Sequence, residues 1–586
     1  MNAKNVPFLI DFLLIVALGV IVAYTDIPMW SGGIPGWCDN YGHAEKIWFT
    51  ANYLKRYWRL PSWDPHWFCG YPIHLFYPPL SYFVASLLTI LFGSVYTGYI
   101  LTIEGASFLG GVFTYLYMRR IFKNHLAAFV SAVYFALNPF FYRYVIWLGT
   151  FPLGFGTMLF IPLAFLCFEE LWKKGWKFKH IVPISIVLAL AILTHVFVFI
   201  IICYSLLFMW FFRVILMKSK SEIEPIFVLL KLGLSALFSI GLSAVWLLPA
   251  YVMKERMITM EYAKMWWEYI SLHSLPNYIS LYHMFFALVC VVPIILTRKK
   301  IYLPYIFVSI IFILWSLGAN SPYTWWFFSN LPLAGRINPK RYAIIANFLL
   351  SIAAGANIAL IEDIIKIRES AGKVKICKLL LIFALFMLIL SPLLVESQVY
   401  AKKCYSANKP SSDFIKICEM LRSYPDYRVI SSSFSPFWHG KPIVGSHFFE
   451  SSQVPWFWLG VWKDYVPKSQ RIDFMTDIYR VMDIGYIISS ETSSELDSSS
   501  NFKVILKHGR YRVYQLHPLP KYCKPIRLSK ILVISRYAMA VKGLNEMMPR
   551  LKGILIRSER NLSSENLKKY DVILMYGYDS RPSVEV

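Results

Sequence analysis

Charge is scarce in this sequence. Only 16% of its 586 residues are charged, whereas 57% are hydrophobic, and the mean hydropathy is +0.50. That balance excludes a wholly water-soluble chain, which has no use for so much apolar surface. Cysteine is sparse too: nine residues, with no CxxC pair and no Cys/His spacing of the zinc type, so a structural metal site is unsupported. The C-terminal third has neither a GxGxxG nor a P-loop, which leaves nucleotide binding without a motif. No small-x-small cleavage site follows the apolar stretch from Val6 to Tyr24, so it reads as an uncleaved first helix, not a signal peptide.

What is present is apolar runs of membrane-spanning length, recurring from Pro7 to Val395. The expected spans are 7–25, 98–118, 126–145, 151–168, 181–197, 198–216, 226–248, 279–297, 301–317, 342–361 and 379–395, about eleven helices. Their orientation follows from Lys and Arg in the short connections. Lys4, the segments 119–125, 169–180, 213–224, 298–300 and 362–378 hold the basic clusters and are placed in the cytoplasm. The N-terminus is then inside and the C-terminal region outside. Ile73 to Gly93 is apolar enough to span, yet a crossing there would flip every later connection. It is read as a helix in the outer interface, with Pro78 and Pro79 in its first turn, the alternative being a true span paired with a miscounted one.

The expected fold class is therefore a polytopic α-helical membrane protein, residues 1–395, followed by a soluble extracytoplasmic α/β domain, residues 396–586, with a subdivision near 525. Residues 26–97 form a long first outer loop. Within it Ala44, Ile47, Trp48, Ala51, Leu54 and Trp58 recur at helical spacing among Glu45, Lys46, Asn52, Lys55, Arg56 and Arg59, the pattern of an amphipathic surface helix. In the tail, strands are expected at Tyr427–Ser431 and Ile484–Ser489, with a hairpin over Phe502–Leu516. Strands at Ile531–Ser535, Gly553–Arg557 and Val572–Tyr576 then alternate with helices at Ala538–Arg550 and Ser563–Lys569. Asn561 begins a lone Asn-Leu-Ser sequon. Cys38 and Cys69 in the first loop, and Cys404, Cys418 and Cys523 in the tail, are either disulfide partners or free thiols.

Four groups carry chemistry, because a charge near hydrocarbon is costly without a purpose. Asp39 opens the amphipathic helix, with His43 one turn on along the same face. A carboxylate there takes a proton from an acceptor hydroxyl, or holds a cation, or is merely an N-cap. No Glu or Gln at position 42 completes a capping box. Arg336, Lys340 and Arg341 crowd the connection before the tenth span; a lipid-linked phosphate or anionic headgroups account for them. Glu104 and His195 lie within spans, where they line a cavity facing Asp39 or, for His195, satisfy an interface. Trp63, Asp64 and His66 belong to an aromatic stretch suited to stacking on sugar faces or to anchoring at headgroups. Asp11, near the cytoplasmic end of the first span, reads as structural or snorkelling.

A first helix with its N-terminus inside, followed by a large outer loop that opens on an acid, resembles the GT-C superfamily of membrane glycosyltransferases. More narrowly, Asp39-Asn40-Tyr41-Gly42-His43, Leu60-Pro61-Ser62-Trp63-Asp64-Pro65, Gly70-Tyr71-Pro72, Tyr77-Pro78-Pro79-Leu80, Leu193-Thr194-His195 and Pro332 through Arg341 are similar to a family of archaeal and bacterial membrane proteins. Its label is 6-pyruvoyl-tetrahydropterin synthase-related. Nothing in the residues suggests pterin chemistry.

The resemblance covers about residues 1–395 and implies a polyprenyl-phosphate sugar donor and a glycan, lipid or protein acceptor outside the cell, with no nucleic-acid partner. It implies the acidic role for Asp39 and the phosphate grip for Arg336, Lys340 and Arg341. A divalent cation is the one cofactor it leaves open. Many superfamily members have a second acid in the outer loop after the third span, but here Tyr142 to Thr150 has none, so Glu104 or Glu45 substitutes or the chain does not catalyse transfer. A non-catalytic lipid or glycolipid transporter and a scaffold with a surface-binding tail are the rival expectations.

Overall fold

The computed structural model describes residues 6–30, 33–34, 39–64, 72–75, 77–173, 175–217, 223–253, 270–289, 294, 297, 299–368, 393–399, 401–402, 411–425, 427–431, 476, 479–480, 483–490, 492–520, 531–535, 555–557 and 572–576. The chain divides into two compact units. One comprises residues 1–60, 77–247 and 260–409; the other comprises 61–76, 248–259 and 410–586.

The first unit is helical: α1 (Val6–Thr25), α2 (Asn40–Tyr57), α3 (Leu80–Phe92), α4 (Val95–Phe122), α5 (His125–Ala136), α6 (Phe151–Leu171), α7 (Phe178–Thr194), α8 (Val196–Met217), α9 (Ile223–Leu242), α10 (Ala244–Val252, which runs past the unit boundary), α11 (Leu281–Val289), α12 (Leu303–Ser316), α13 (Pro322–Ser329) and α14 (Ala343–Arg368). Seven helices among the described residues are long and apolar enough to cross a membrane: Pro7–Thr25, Val95–Phe122, His125–Trp147, Phe151–Leu171, Val196–Leu216, Pro225–Leu242 and Pro339–Glu362. Leu80–Phe92, Phe178–Thr194 and Lys300–Ser316 are apolar but shorter. Of the eleven expected spans, 279–297 contains α11 and is described beyond it only at 294 and 297, both helical, and 379–395 lies outside the described residues except for 393–395. The architecture is thus a multi-helix membrane bundle whose span count is not fixed at eleven. Helix α3 has 13 residues, about 20 Å of rise against a hydrocarbon layer of about 30 Å.

Burial separates the centre of the bundle from its lipid-facing rim. Helix α1 buries Leu18 and Val22 but exposes Phe8, Phe12, Leu13, Val16 and Val20. In contrast, α5 is buried from Ala127 to Ala136 and the chain entering α14 from Tyr342 to Leu360. Without a hydrophobic drive inside lipid, such helices associate where small residues let backbones approach. A Cβ on Gly355 of α14 would stand 2.1 Å from Ser131 Oγ and 2.3 Å from Ala127 O of α5. Gly355→Ala is therefore expected to lower the thermal unfolding midpoint in detergent, at a cost of about 1–3 kcal/mol. Gly105→Ala on α4, where nothing lies within 4 Å, should leave it unchanged or raise it.

Several ionic groups within the bundle are paired. Asp11 Oδ1 accepts from Arg119 Nε at 2.8 Å and pairs with His125 Nδ1 at 2.8 Å, in keeping with a structural role. Arg213, expected in a connection, is instead inside α8, where its guanidinium meets Glu169 Oε1 at 2.6 Å and Tyr305 Oη at 3.1 Å. Glu169 on α6 thus gives the arginine a partner within the helical bundle.

Among the described residues the second unit includes the short helices α15 (Ser412–Leu421) and α16 (Ser494–Ser498) and the strands β1 (Arg428–Ser431), β2 (Ile484–Ser489), β3 (Phe502–His508), β4 (Tyr511–Leu516), β5 (Ile531–Ser535), β6 (Leu555–Arg557) and β7 (Val572–Tyr576). One sheet has the order β1-β2-β4-β3, with β1 and β2 parallel and the other pairs antiparallel; the other sheet is parallel, in the order β6-β5-β7. Phe414, Ile417, Cys418 and Leu421 of α15 pack on Val429, Tyr486, Ile488, Tyr511 and Val513. This helix was not among the expected elements, although its i, i+3, i+4, i+7 apolar stripe and the Ser411 cap, which accepts from Phe414 N at 3.2 Å, are both readable. Cys418 is a free, buried thiol. The expected helices 538–550 and 563–569, the sequon at 561, and Cys38, Cys69, Cys404 and Cys523 lie outside the described residues.

Candidate active site

Helix α2 follows the expected amphipathic pattern only in its second half, where Ala51 and Leu54 are buried and Asn52, Lys55 and Arg56 are exposed. Its first half is buried on all sides: Asn40, Gly42, His43, Ala44, Glu45, Lys46, Ile47, Phe49 and Thr50 are enclosed, and the helix packs on α3 and α4. Glu45 and Lys46, expected in water, are inside, while Trp58, expected on the apolar face, is 92% exposed as the left-handed residue that ends the helix. Aromatic and polar neighbours make this possible, because Lys46 Nζ lies 4.6 Å from the ring centre of Tyr77 and 5.6 Å from that of Tyr82.

The start of α2 is pinned by the segment between α5 and α6. Asn138 and Pro139 end α5, and a wide helical turn, Phe141–Trp147, carries the chain back over α2. Asn40 Nδ2 donates to Ile146 O at 2.8 Å, and its Oδ1 accepts from the Tyr99 hydroxyl of α4. Gly149, at φ +75°, approaches so closely that a Cβ would stand 2.5 Å from Asn40 N, so only glycine fits. His43 Nδ1 shares a 2.7 Å hydrogen bond with Tyr82 Oη, its ring also hydrogen-bonds the Gly149 backbone, and Phe151 and Tyr77 close around it. Burial, helped by the Lys46 charge, pushes the imidazole well below its usual range, so His43 is neutral at pH 7.

Asp39 occupies the N-cap position, yet its side chain makes no capping hydrogen bond. Its Oδ1 is buried without a hydrogen-bond partner. Burial raises the carboxyl to about 7, and the cations of Arg341 and Lys46 pull against that rise. Asp39, His43 and Lys46 are spaced i, i+4, i+7 and so share one face of α2.

Arg341 arrives from three hundred residues away. The connection before α14 is fixed by Asn338, whose Oδ1 accepts from Lys340 N at 3.0 Å, and by Tyr342, whose hydroxyl donates to Ala334 O at 3.1 Å while its ring stacks on Trp315 at 4.0 Å. Arg341 Nε then donates to Tyr144 Oη at 3.3 Å, and its guanidinium sits 5.1 Å from the ring centre of Phe197. His195 ends α7, accepts from Phe197 N at 3.2 Å, stands edge-on to Tyr77 at 6.0 Å and feels the Arg341 charge.

Of the residues singled out in the sequence, Asp39, His43, His195 and Arg341 thus come together. Lys340 lies beside them, its Nζ 5.9 Å from the Tyr278 ring centre. Arg336 is exposed, and its side chain has no hydrogen-bond or ion-pair partner among the described residues. Glu104 belongs to another group: it hydrogen-bonds Trp30 and feels the charge of Asp26, whose Oδ1 accepts from Tyr142 at 2.9 Å. Tyr99, which reaches the start of α2, is five residues earlier on α4, so Glu104 projects about 140° away from it. Trp63 is exposed, Asp64 is buried, both fall in the second compact unit, and His66 lies outside the described residues. Among the described residues no group of three or more His, Cys, Asp or Glu is placed to hold a metal ion. Sequence reasoning missed Lys46, legible only as the i+7 partner of Asp39, and Tyr144, which carried no charge to draw notice. The segment that lacks the second acid is the one that holds Asn40, His43 and Arg341 in place.

The profile of the 6-pyruvoyl-tetrahydropterin synthase related domain, described as a membrane protein, matches residues 75–403. No curated protein matches the chain in sequence. Among solved structures, the Archaeoglobus fulgidus oligosaccharyltransferase in the apo form is similar, with TM-score 0.53 and 13% identity over 82% of this chain and 69% of that one. The archaeal oligosaccharyltransferase AglB from Archaeoglobus fulgidus, in complex with an inhibitory peptide and a dolichol-phosphate, gives TM-score 0.51 and 12% identity over the same shares. The arabinofuranosyltransferase AftD from Mycobacteria gives TM-score 0.54 and 10% identity over 92% of this chain and 45% of that one. These neighbours share the GT-C fold.

Proposed function

The chain belongs to the 6-pyruvoyl-tetrahydropterin synthase related family of membrane proteins, and from that premise we propose that it is a GT-C glycosyltransferase that moves a sugar from a polyprenyl-phosphate donor to an extracytoplasmic acceptor. The observation that carries this is Asp39. It is an acid with a buried oxygen not spent on capping its helix, held in the field of an arginine far away along the chain. The fold neighbours are enzymes, and one was solved with a dolichol-phosphate.

The reaction assigned to these groups balances simply. Asp39, as carboxylate, takes the proton of the acceptor hydroxyl; the acceptor oxygen bonds to the anomeric carbon; the bond from that carbon to the phosphate oxygen breaks, and polyprenyl phosphate leaves with the electron pair. Arg341 stabilises the phosphate charge as it grows, and Lys340 stands beside it as a second cation. Neutral His43 fixes the helix face that presents Asp39. The carboxylate and neighbours described do not make a resident-metal site, so no step is routed through a cation. The donor side is assigned to the outside of the cell by the Lys and Arg bias of the connections.

The acid limb tests the role. With Asp39 titrating at about 7, release of polyprenyl phosphate from a polyprenyl-phosphate sugar should rise about tenfold per pH unit below neutrality and level off above it. A rate flat from about pH 6 to about pH 8 would remove Asp39 as the base, and binding of donor with no release would favour a carrier.

A further inference from the structure

At the other end of α4 from the proposed active site, the bundle contains a cavity of about 560 Å³. It is lined by Lys123 and His125 at the α4–α5 turn, Lys299 before α12, and Glu362 on α14, with apolar walls that include Phe122 and Tyr302. Tyr99, at the active-site end of α4, and Ile121, in the cavity wall, are 22 residues apart on that helix, about 33 Å, so the cavity and the site open at opposite edges of the hydrocarbon layer.

We propose that this cavity is a binding site for the headgroup of an anionic glycerophospholipid in the leaflet opposite the donor. Three features converge on that occupant. First, the polar end is cationic: Lys123 and Lys299 are exposed at the rim, and among the described lining residues they stand against one carboxylate, Glu362, which accepts from Asn124 Nδ2 at 2.6 Å. Second, one wall is aromatic and flat, with the Phe122 and Tyr302 rings stacked at 4.6 Å and 9°, a surface for an acyl or glycerol segment and poor company for a free ion. Third, the volume falls in the range of about 300–1,000 Å³ typical of small-molecule sites, and basic pockets between helices at the cytoplasmic edge of a bilayer suit acidic headgroups. Lys123 is held in the left-handed conformation, φ 55°, as the residue that ends α4, its N–H bonded to Arg119 O at 3.1 Å. The turn that sets the rim is thus fixed before any lipid arrives.

The full-length chain, purified in neutral detergent, is titrated with phosphatidylglycerol, phosphatidylcholine and inorganic phosphate, with lipid retention read by native mass spectrometry. Phosphatidylglycerol is expected to be retained in preference to phosphatidylcholine. Lys123→Gln and Lys299→Gln should each weaken it about fivefold, and Glu362→Gln should tighten it, a change of opposite sign that misfolding cannot imitate. Equal retention of phosphatidylcholine, full displacement by millimolar inorganic phosphate, or three variants indistinguishable from the parent would each overturn the assignment.

Discussion

Replacing Asp39 by Asn is expected to lower the rate of sugar transfer about a thousandfold, within the range for loss of a positioned general base, with donor binding little changed. Asn is nearly isosteric, and no capping hydrogen bond is lost because Asp39 makes none. The variant also separates chemistry from folding by the sign of its effect on stability. The folded carboxyl titrates at about 7 and a free one at 3.8, so between those values the folded state binds more protons than the unfolded. The contribution of Asp39 to stability is therefore fully present below 3.8 and is lost as pH rises through about 7. Asp39→Asn, which has no charge to bury, should consequently unfold at the same or a higher temperature than the parent at about pH 8. A variant that transfers at the parental rate would end the proposal; one that loses activity and unfolds earlier would show that position 39 matters for structure instead.

Arg341→Gln should weaken binding of a polyprenyl-phosphate sugar about 10- to 100-fold, the range expected when a charged hydrogen bond is lost. It should also move the acid limb of the rate profile to higher pH, since the guanidinium holds the Asp39 carboxyl down. Arg336→Gln is the internal control: that side chain is exposed and has no ion-pair partner among the described residues, so donor binding should change less than about twofold, as for surface substitutions in general. Equal, small effects of both variants on donor binding and on membrane association would mean that these cations only attract headgroups.

The membrane spans were legible because lipid as a solvent imposes long apolar runs, and α1, α4, α6 and α8 fall where hydropathy puts them. The strands of the tail were legible for a similar reason: Ile484–Ser489 and the Phe502–Leu516 hairpin carry β-branched and aromatic residues bounded by turn formers. Helix α2 was not, because a period of 3.6 residues identifies a buried face but not how many faces are buried. With aromatic rings for Lys46 and hydrogen bonds for Asn40, even the polar side of its first half sits inside the bundle. For the site, charge alone drew notice to Asp39 and Arg341, and their proximity is a product of tertiary packing. Glu104 drew notice for the same reason and was wrongly aimed at Asp39, since its direction depends on helical phase around α4. Asp26, with one oxygen on Tyr142 and the other buried without a partner, went unremarked because an acid just beyond a first span looks like an ordinary boundary residue.

The separation of Asp39 and Arg341 along the chain has a consequence for biogenesis. A ribosome delivers the acid to the membrane with the first helix, but its guanidinium partner only after most of the bundle has been inserted. Until then the acid and the cation assigned to the donor phosphate cannot meet, and a nascent or truncated chain carries one without the other. On the proposed reading, competence for transfer waits on completion of the bundle, and prematurely terminated products are expected to be silent.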